Sequence, residues 1–357
     1  MVSDGIREVL DSFSHRDWAE SEEDAGPIRF AMVGLGWWTR DQAMPAVADS
    51  GRCETTVVVS GSAEKAEEVA DDEETVEAGL TYEEFRDGEA RDAYDAVYVC
   101  TPNARHLEHV EAAAEFGKAV LCEKPMEATV ERSEDLVDAC EDVPAMIAYR
   151  MHTEPVVRRA RELVREGAIG EPVHVHGDMS QSIVGWGADQ WRLDPELAGY
   201  GTSVMDLGIY SVNTARFVLD RDPVSATATM RSNHDYFTEV PDEVAAFTVA
   251  YEDAVLASFT ASQNADLGSH LRIVGSEGTL LIEPAFHGEC TLELSVGETT
   301  VEIDSPEVDQ MEEEFEYFAD CLLADREPEA TPAHGLVDMR ALEAIYESAE
   351  TGERVEC

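Results

Sequence analysis

The stretch Ile28-Arg29-Phe30-Ala31-Met32-Val33-Gly34-Leu35-Gly36-Trp37-Trp38-Thr39 sets the reading of this chain. A β-rich run, Ile28 to Val33, ends on a Gly-x-Gly turn, and helix-compatible sequence follows. Strand, glycine turn, helix is the order in which a βαβ unit turns backbone N–H groups toward a dinucleotide pyrophosphate. Gly34 permits the tight turn and Gly36 lets the backbone approach the phosphates, while the third fingerprint position holds Thr39. A Gly-x-Gly by itself also fits an ordinary βα turn, so the rest of the chain decides.

Working outward, further β-rich runs stand at 53–59, 93–100, 119–122 and 145–149, with helical patterns between them at 105–116 and 130–140. Alternating strands and helices imply a parallel, doubly wound sheet. Past residue 150 the pattern changes. A helix at 154–166 leads into a strand at 171–179, a loop rich in Gly, Trp and Asp, and a helix at 202–219. Closely spaced strands follow at 223–231, 244–251, 254–262, 270–275, 278–283 and 291–295, then helices near 308–323 and 335–349. The fold class expected is an α/β N-terminal Rossmann domain plus an α+β C-terminal domain with a large, mostly antiparallel open sheet. The boundaries expected are an N-terminal arm over 1–26, with a short helix at 3–13, and a dinucleotide-binding domain over 27–150. A substrate and oligomerisation domain then covers 151–330, and a C-terminal helix over 331–357 returns toward the N-terminal domain.

The chain holds only three lysines, Lys65, Lys118 and Lys124, among its 25 basic residues. Lysine is normally among the commonest residues, so a lysine that survives this bias is a candidate for chemical work. Lys124 closes the apolar run Leu121-Cys122-Glu123-Lys124-Pro125, and Pro125 stops the strand from continuing with a donor. The C-terminal end of a buried parallel strand is where an α/β enzyme keeps its site.

Acids outnumber bases by 77 to 25, a formal charge of −52, and they are spread along the whole chain. Such a surface repels itself at ordinary ionic strength and is relieved at molar salt, which points to a salt-accumulating cytoplasm. Nucleic acid is excluded as a partner because no basic patch exists to neutralise phosphates. No apolar stretch reaches the length of a membrane span, and the N-terminus has no charged-then-apolar signal. The seven cysteines show neither C-x-x-C nor zinc spacing. The expectation is a cytoplasmic protein without disulfides. His174 and His176 share a strand face, but no carboxylate pattern accompanies them and no metal is expected.

The end of the second strand speaks to the cofactor. An NAD site places an acid there for the ribose 2′-hydroxyl, and this chain has Ser60-Gly61-Ser62-Ala63-Glu64-Lys65. Ser60 and Ser62 can donate to a 2′-phosphate and Lys65 can supply positive charge, which favours NADP. The competing reading makes Ser62 a helix N-cap and pairs Lys65 with Glu64 or Glu68.

These residues, with Thr101-Pro102-Asn103, His106, Glu123-Lys124-Pro125 and Gly199-Tyr200-Gly201 leading to Asp206-x-x-x-Tyr210, resemble the glucose–fructose oxidoreductase (Gfo/Idh/MocA) family from about residue 27 to the end. Within it, residues 34–40, 147–155 and 310–318 look most like the haloarchaeal D-xylose 1-dehydrogenase branch. The resemblance implies an NADP-dependent oxidation of C1 of an aldose, D-xylose above all, to the lactone. It implies a homodimer or homotetramer, with a second subunit covering the open sheet. It implies cofactor contacts from Gly34, Leu35, Gly36, Trp37, Trp38, Ser60, Ser62, Lys65, Thr101, Pro102, Asn103, His106, Glu123, Lys124 and Arg150. For the sugar it implies Lys124, His152, Trp191, Arg192, Asp206 and Tyr210, Trp191 by stacking. His106 has a structural reading of equal weight.

The chemistry agrees with that set. Asp206 and Tyr210 lie four apart on an expected helix and so share a face. Oxidising a sugar hydroxyl needs a base, and a tyrosine of pKa about 10 becomes one when a nearby ammonium stabilises its phenolate. Tyr210 is therefore the expected acid/base, Lys124 the cation that lowers its pKa and holds the hydroxyl, and Asp206 the group that orients sugar or lysine. Where the family often has three glycines, Tyr200 intervenes and is expected to narrow the pocket. Two alternatives stay open: a dehydrogenase or reductase of another polyol, keto-sugar or trans-diol, and a non-catalytic NADP-binding sensor on the same fold.

Overall fold

The computed structural model describes residues 13–21 and 26–357. Apart from Phe13, the helix expected at 3–13 lies outside the described residues. In chain order the first elements are β1 (Ile28–Val33), α1 (Met44–Asp49), β2 (Cys53–Ser60), α2 (Ala63–Asp72), β3 (Ala78–Thr81), α3 (Tyr82–Arg86), β4 (Ala96–Val99), α4 (His106–Glu115), β5 (Ala119–Glu123), α5 (Val130–Ala139) and β6 (Ala145–Ala148). Then come α6 (Pro155–Arg165), β7 (Pro172–Ser182), α7 (Pro195–Ala198), α8 (Ile209–Leu219), β8 (Pro223–Arg231), β9 (Val244–Tyr251), β10 (Leu256–Ser262) and β11 (Asn264–Gly275). The last are β12 (Gly278–Ile282), β13 (Leu292–Val296), β14 (Thr299–Ile303), α9 (Gln310–Leu323), α10 (Pro332–Thr351) and β15 (Val355–Glu356).

The chain divides into two compact units. One comprises Trp18–Arg150 with Asp309–Leu336; the other comprises Met151–Val308, Val337–Cys357 and the described end of Met1–Asp17.

In the first unit, β1 to β6 form an all-parallel sheet in the order β3-β2-β1-β4-β5-β6. The order reverses between β2 and β4 around β1, which places the dinucleotide crevice at the carboxyl ends of β1 and β4. Phe30, Ala31, Met32 and Val33 are all fully buried, the unbroken apolar run of a strand covered on both faces. Strand β3 has no counterpart in the sequence reading. Its residues, Ala78-Gly79-Leu80-Thr81, carry little β signal; the strand pairs with β2, and α2 packs on it so closely that a Cβ on Gly79 would lie 2.4 Å from the Ala66 carbonyl oxygen.

The expected boundary at 330 is corrected here, because α9 belongs to this unit. Phe315 packs edge-on against Phe30 and Tyr98, with ring centroids 5.1 and 5.0 Å apart. A linear boundary cannot register a helix that comes back to a sheet completed 160 residues earlier. The terminal helix is likewise shared: Pro332 to Leu336 group with the first unit and Val337 onward with the second.

In the second unit nine strands run in the order β14-β13-β12-β11-β7-β10-β9-β8-β15. Every pair is antiparallel except β7 with β10. Burial alternates along β9 and β10, as it does when one face of a sheet is covered and the other open. Ile183 and Leu193 of the loop over 183–199 form a small core with Phe237 and Val240 from the β8–β9 connection, so the segment bearing Trp191 and Arg192 is anchored on both sides.

Candidate active site

The first unit supplies a dinucleotide cradle. Gly34 has φ +97°, and a Cβ there would sit 2.2 Å from the Cys100 carbonyl oxygen, so no other residue fits the turn. A Cβ on Gly36 would meet nothing within 4 Å; the space above this residue is open to a ligand. Thr39 replaces the third glycine to local advantage: its buried hydroxyl donates to the Gly34 carbonyl at 2.5 Å and closes the turn. The helix then begins with a π turn, Thr39–Ala43, a form common at functional sites. Trp37 is 62% exposed beside Trp38, and the Arg150 guanidinium lies 5.8 Å from the Trp38 ring. Arg150 also donates to Gln310 on α9.

At the end of β2, Ser60 accepts from the Ser62 N–H at 3.2 Å and Ser62 accepts from the Lys65 N–H at 3.3 Å. Ser62 is therefore the N-cap of α2, yet both hydroxyls keep a proton to donate. Lys65 does not pair with Glu64 or Glu68. Its ammonium reaches back to the Leu35 carbonyl, 3.3 Å away, beside the glycine turn, which is where a 2′-phosphate needs a cation. The residues present thus fit a bound dinucleotide, and NADP in particular.

At the end of β4, Pro102 precedes a short turn, Asn103–Arg105, and Asn103 is buried. His106 is fully buried, with one ring nitrogen 2.9 Å from the Thr101 carbonyl and the other 3.2 Å from the Met126 carbonyl. It holds the ends of two crevice loops and offers no nitrogen to a cofactor, so the structural reading of His106 replaces the cofactor one.

At the end of β5, Glu123 accepts from the Tyr98 hydroxyl at 2.8 Å and from the Lys124 N–H at 3.0 Å. The Lys124–Pro125 peptide is cis. Beneath this corner lies Glu314 of α9, 1% exposed, its carboxylate oxygens without a hydrogen-bond partner among the described residues. Burial, and then the charge of Glu123, hold its pKa well above the usual carboxylate range, against the pull of Arg150 and Lys124.

The second unit supplies a carboxylate and a phenol on one helical segment. Asp206 lies in a π turn, Val204–Gly208, and Tyr210 is the second residue of α8, which follows directly. The straight α-helix expected over 202–219 is corrected in its first turn. Thr202 and Val204 donate their N–H groups to Asp242 at 2.7 and 2.8 Å, and the Tyr346 hydroxyl donates to the same carboxylate at 2.6 Å. Burial pushes the Asp242 carboxyl up to about 6 although these bonds oppose it. Gly201 is required by this contact, because a Cβ would lie 2.3 Å from an Asp242 oxygen. Tyr200 donates to Glu343 at 2.6 Å and packs on Tyr346. Its hydroxyl is thus committed to α10, and the expectation that it narrows the sugar pocket is set aside.

Asp206 Oδ2 accepts from Arg192 Nε and from Gln263 Nε2, each at 2.8 Å. The Arg192 guanidinium stacks on Trp191, 4.5 Å from its ring centroid. Two of the residues assigned to the sugar, Trp191 and Arg192, are thereby brought to Asp206. His152 is not. It is buried, stacked on Phe217 at 4.0 Å and bonded through Nε2 to Asn213 at 2.8 Å, which packs it on α8. Gln263, Asp242, Tyr346 and Glu314 went unnoticed in the sequence. A lone Gln between two strands, or an acid in a chain full of acids, carries no local signal.

Residues 28–150 match the family profile described as "Oxidoreductase family, NAD-binding Rossmann fold", and residues 157–281 match the Gfo/Idh/MocA C-terminal domain. The chain is 56% identical over 345 residues to the D-xylose 1-dehydrogenase [NADP(+)] of Haloarcula marismortui, covering 95% of this chain and 96% of that one. It is 33% identical to the D-xylose 1-dehydrogenase (NADP(+)) 2 of Haloferax volcanii, covering 92% and 99%. Among solved structures, the aldose–aldose oxidoreductase of Caulobacter crescentus complexed with glycerol superposes with a TM-score of 0.87 at 30% identity, covering 93% of this chain and 100% of that one. The glycine turn, the Glu-Lys-Pro corner and the Asp206–Tyr210 segment are thus those of a member of the Gfo/Idh/MocA oxidoreductase family, to which this chain belongs.

Proposed function

We propose that the protein is an NADP-dependent aldose 1-dehydrogenase that oxidises C1 of D-xylose to the lactone. What carries the reading is the 56% identity to the Haloarcula D-xylose 1-dehydrogenase across nearly the whole chain. Its residue-level support is the Lys65 ammonium beside the glycine turn, with no acid at the end of β2. When bound, NADP supplies the acceptor for the C1 hydride. The rest belongs to the side chains. Tyr210 takes the proton of the C1 hydroxyl, and Lys124 is the cation that holds the sugar hydroxyl. Asp206, held by Arg192 and Gln263, accepts a hydrogen bond from a sugar hydroxyl. The C1–H bond and the O–H bond are broken, and the C1 carbonyl of the lactone forms.

The open face of the nine-stranded sheet is assigned to a second copy of the chain. Two cross-strand rows face the same way: Thr227, Thr248, Ser258, His176 and Arg272, then Thr229, Ala246, Thr260, Asp178 and His270. One of these ten residues is acidic, in a chain where 77 of 357 are. A face spared the acid bias is one that contact with another subunit covers. Among the described residues no helix is long and apolar enough to cross a membrane, and the location proposed is the cytoplasm.

The test is NADPH formation at 340 nm in molar KCl with a panel of aldoses and polyols, NADP against NAD, alongside Lys124→Ala. Turnover of D-xylose with NADP, reduced by more than about a thousandfold in the variant, is expected. Turnover confined to another sugar or a diol would remove xylose and keep the chemistry; NADPH binding without turnover on any substrate would make the protein a sensor.

A further inference from the structure

Asp206 is anchored by a chain of amides. Gln263 lies between β10 and β11 and is fully buried. Its Nε2 donates to Asp206 at 2.8 Å, and its Oε1 accepts from Gln181 Nε2 at 2.8 Å. Its backbone N–H donates to the Ser203 hydroxyl at 3.0 Å, and that hydroxyl donates to the Glu243 carbonyl at 3.0 Å. The main chain of Gln263 is therefore tied to the segment just before the π turn, and its side chain to the carboxylate inside that turn. An ionised carboxylate only accepts. It thus fixes which way the Gln263 amide points, and this in turn fixes Gln181, whose Nε2 must face Gln263. A buried amide costs free energy unless it is hydrogen-bonded, and a leucine of similar volume would fill the same space. Packing alone does not explain a glutamine here; the donor does.

We propose that Gln263, buttressed by Gln181, is a positioning residue for the sugar oxidation. With Arg192 it holds the Asp206 carboxylate in one orientation, so that Asp206 meets the sugar as a hydrogen-bond acceptor. The inference rests on the reading that Asp206 faces the sugar.

The experiment compares Gln263→Leu, Gln263→Glu, Gln181→Leu and Asp206→Ala by steady-state kinetics with D-xylose and NADP from pH 6 to pH 9 in molar KCl. Gln263→Leu should lower kcat/KM for xylose by about ten- to hundredfold, the effect of a small misplacement near reacting atoms, with KM for NADP within about twofold of the parent. Gln263→Glu sets a second carboxylate against Asp206. The pair repels when both are ionised and relaxes when one proton is shared, so its deficit should shrink as pH falls from 9 to 6, a signature that a packing role lacks. A folded Gln263→Leu with xylose kcat/KM within about twofold of the parent, while Asp206→Ala is inactive, overturns the positioning role and leaves the site intact. An active Asp206→Ala removes the site reading and the inference with it. Where Gln263→Leu does not fold, Gln181→Leu decides: a loss of about three- to tenfold in the same parameter supports the relay, and no loss overturns it.

Discussion

Lys65 shows what a single residue can settle. Its ammonium has no carboxylate partner among the described residues and lies at the carbonyl of Leu35, inside the glycine turn. A charge-assisted contact of this kind is worth about 1.5–3 kcal/mol, or roughly ten- to hundredfold in affinity. Lys65→Ala should raise KM for NADP by that factor and leave KM for NAD nearly unchanged, as initial rates with each cofactor would show. An equal rise for both would mean that Lys65 supports the turn and not the 2′-phosphate. The sequence offered Lys65 two carboxylate partners, and the fold pairs it with neither. Gly34 was legible because only glycine tolerates φ +97° against the Cys100 carbonyl. His106 and His152 were not, because a histidine after a strand looks the same whether its ring nitrogens face a cofactor or a backbone carbonyl. That choice is made by residues such as Met126 and Asn213, 20 and 61 positions away.

At the scale of an element, the Asp206 segment was predicted as a helix and is one, but its first turn is a π turn capped from far along the chain. No sequence pattern near residue 204 announces a cap from Asp242. Three donors converge on that buried carboxyl, and burial still prevails, raising its pKa to about 6. The consequence for stability has a definite sign. The folded pKa lies above the unfolded value of about 3.9, so the fold favours the protonated form. The contribution is fully present below about pH 4 and is lost as pH rises through 6. With a difference of about two pKa units the change is on the order of 3 kcal/mol. Asp242→Asn cannot titrate, so chemical denaturation of both proteins in molar KCl should show the parent losing stability relative to the variant between pH 4.5 and 7.5. A difference that stays constant across that range would show that Asp242 titrates as an ordinary surface acid.

For the whole molecule, charge and assembly are one problem. At 0.1 M salt the Debye length is about 10 Å and at 1 M about 3 Å; a formal charge of −52 therefore acts across each subunit and between subunits in dilute buffer, and hardly at all in molar KCl. Under the oligomer proposal the sheet face carrying Thr248 and Ser258 brings two such bodies together, and its scarcity of acids removes only the local part of the repulsion. Association should thus be more salt-sensitive than the fold itself. Light scattering coupled to size exclusion should show a dimer or tetramer in 2 M KCl, dissociating as salt is lowered before the far-ultraviolet dichroism is lost. Ser258→Glu places a charge in the row of Thr227, Thr248, His176 and Arg272. Because like charges meeting across a symmetric contact are repeated in each subunit, this variant should be monomeric at salt concentrations where the parent is assembled. A parent that is monomeric in 2 M KCl, or a variant that assembles like it, would leave the acid-poor face without a partner and take the oligomer proposal with it.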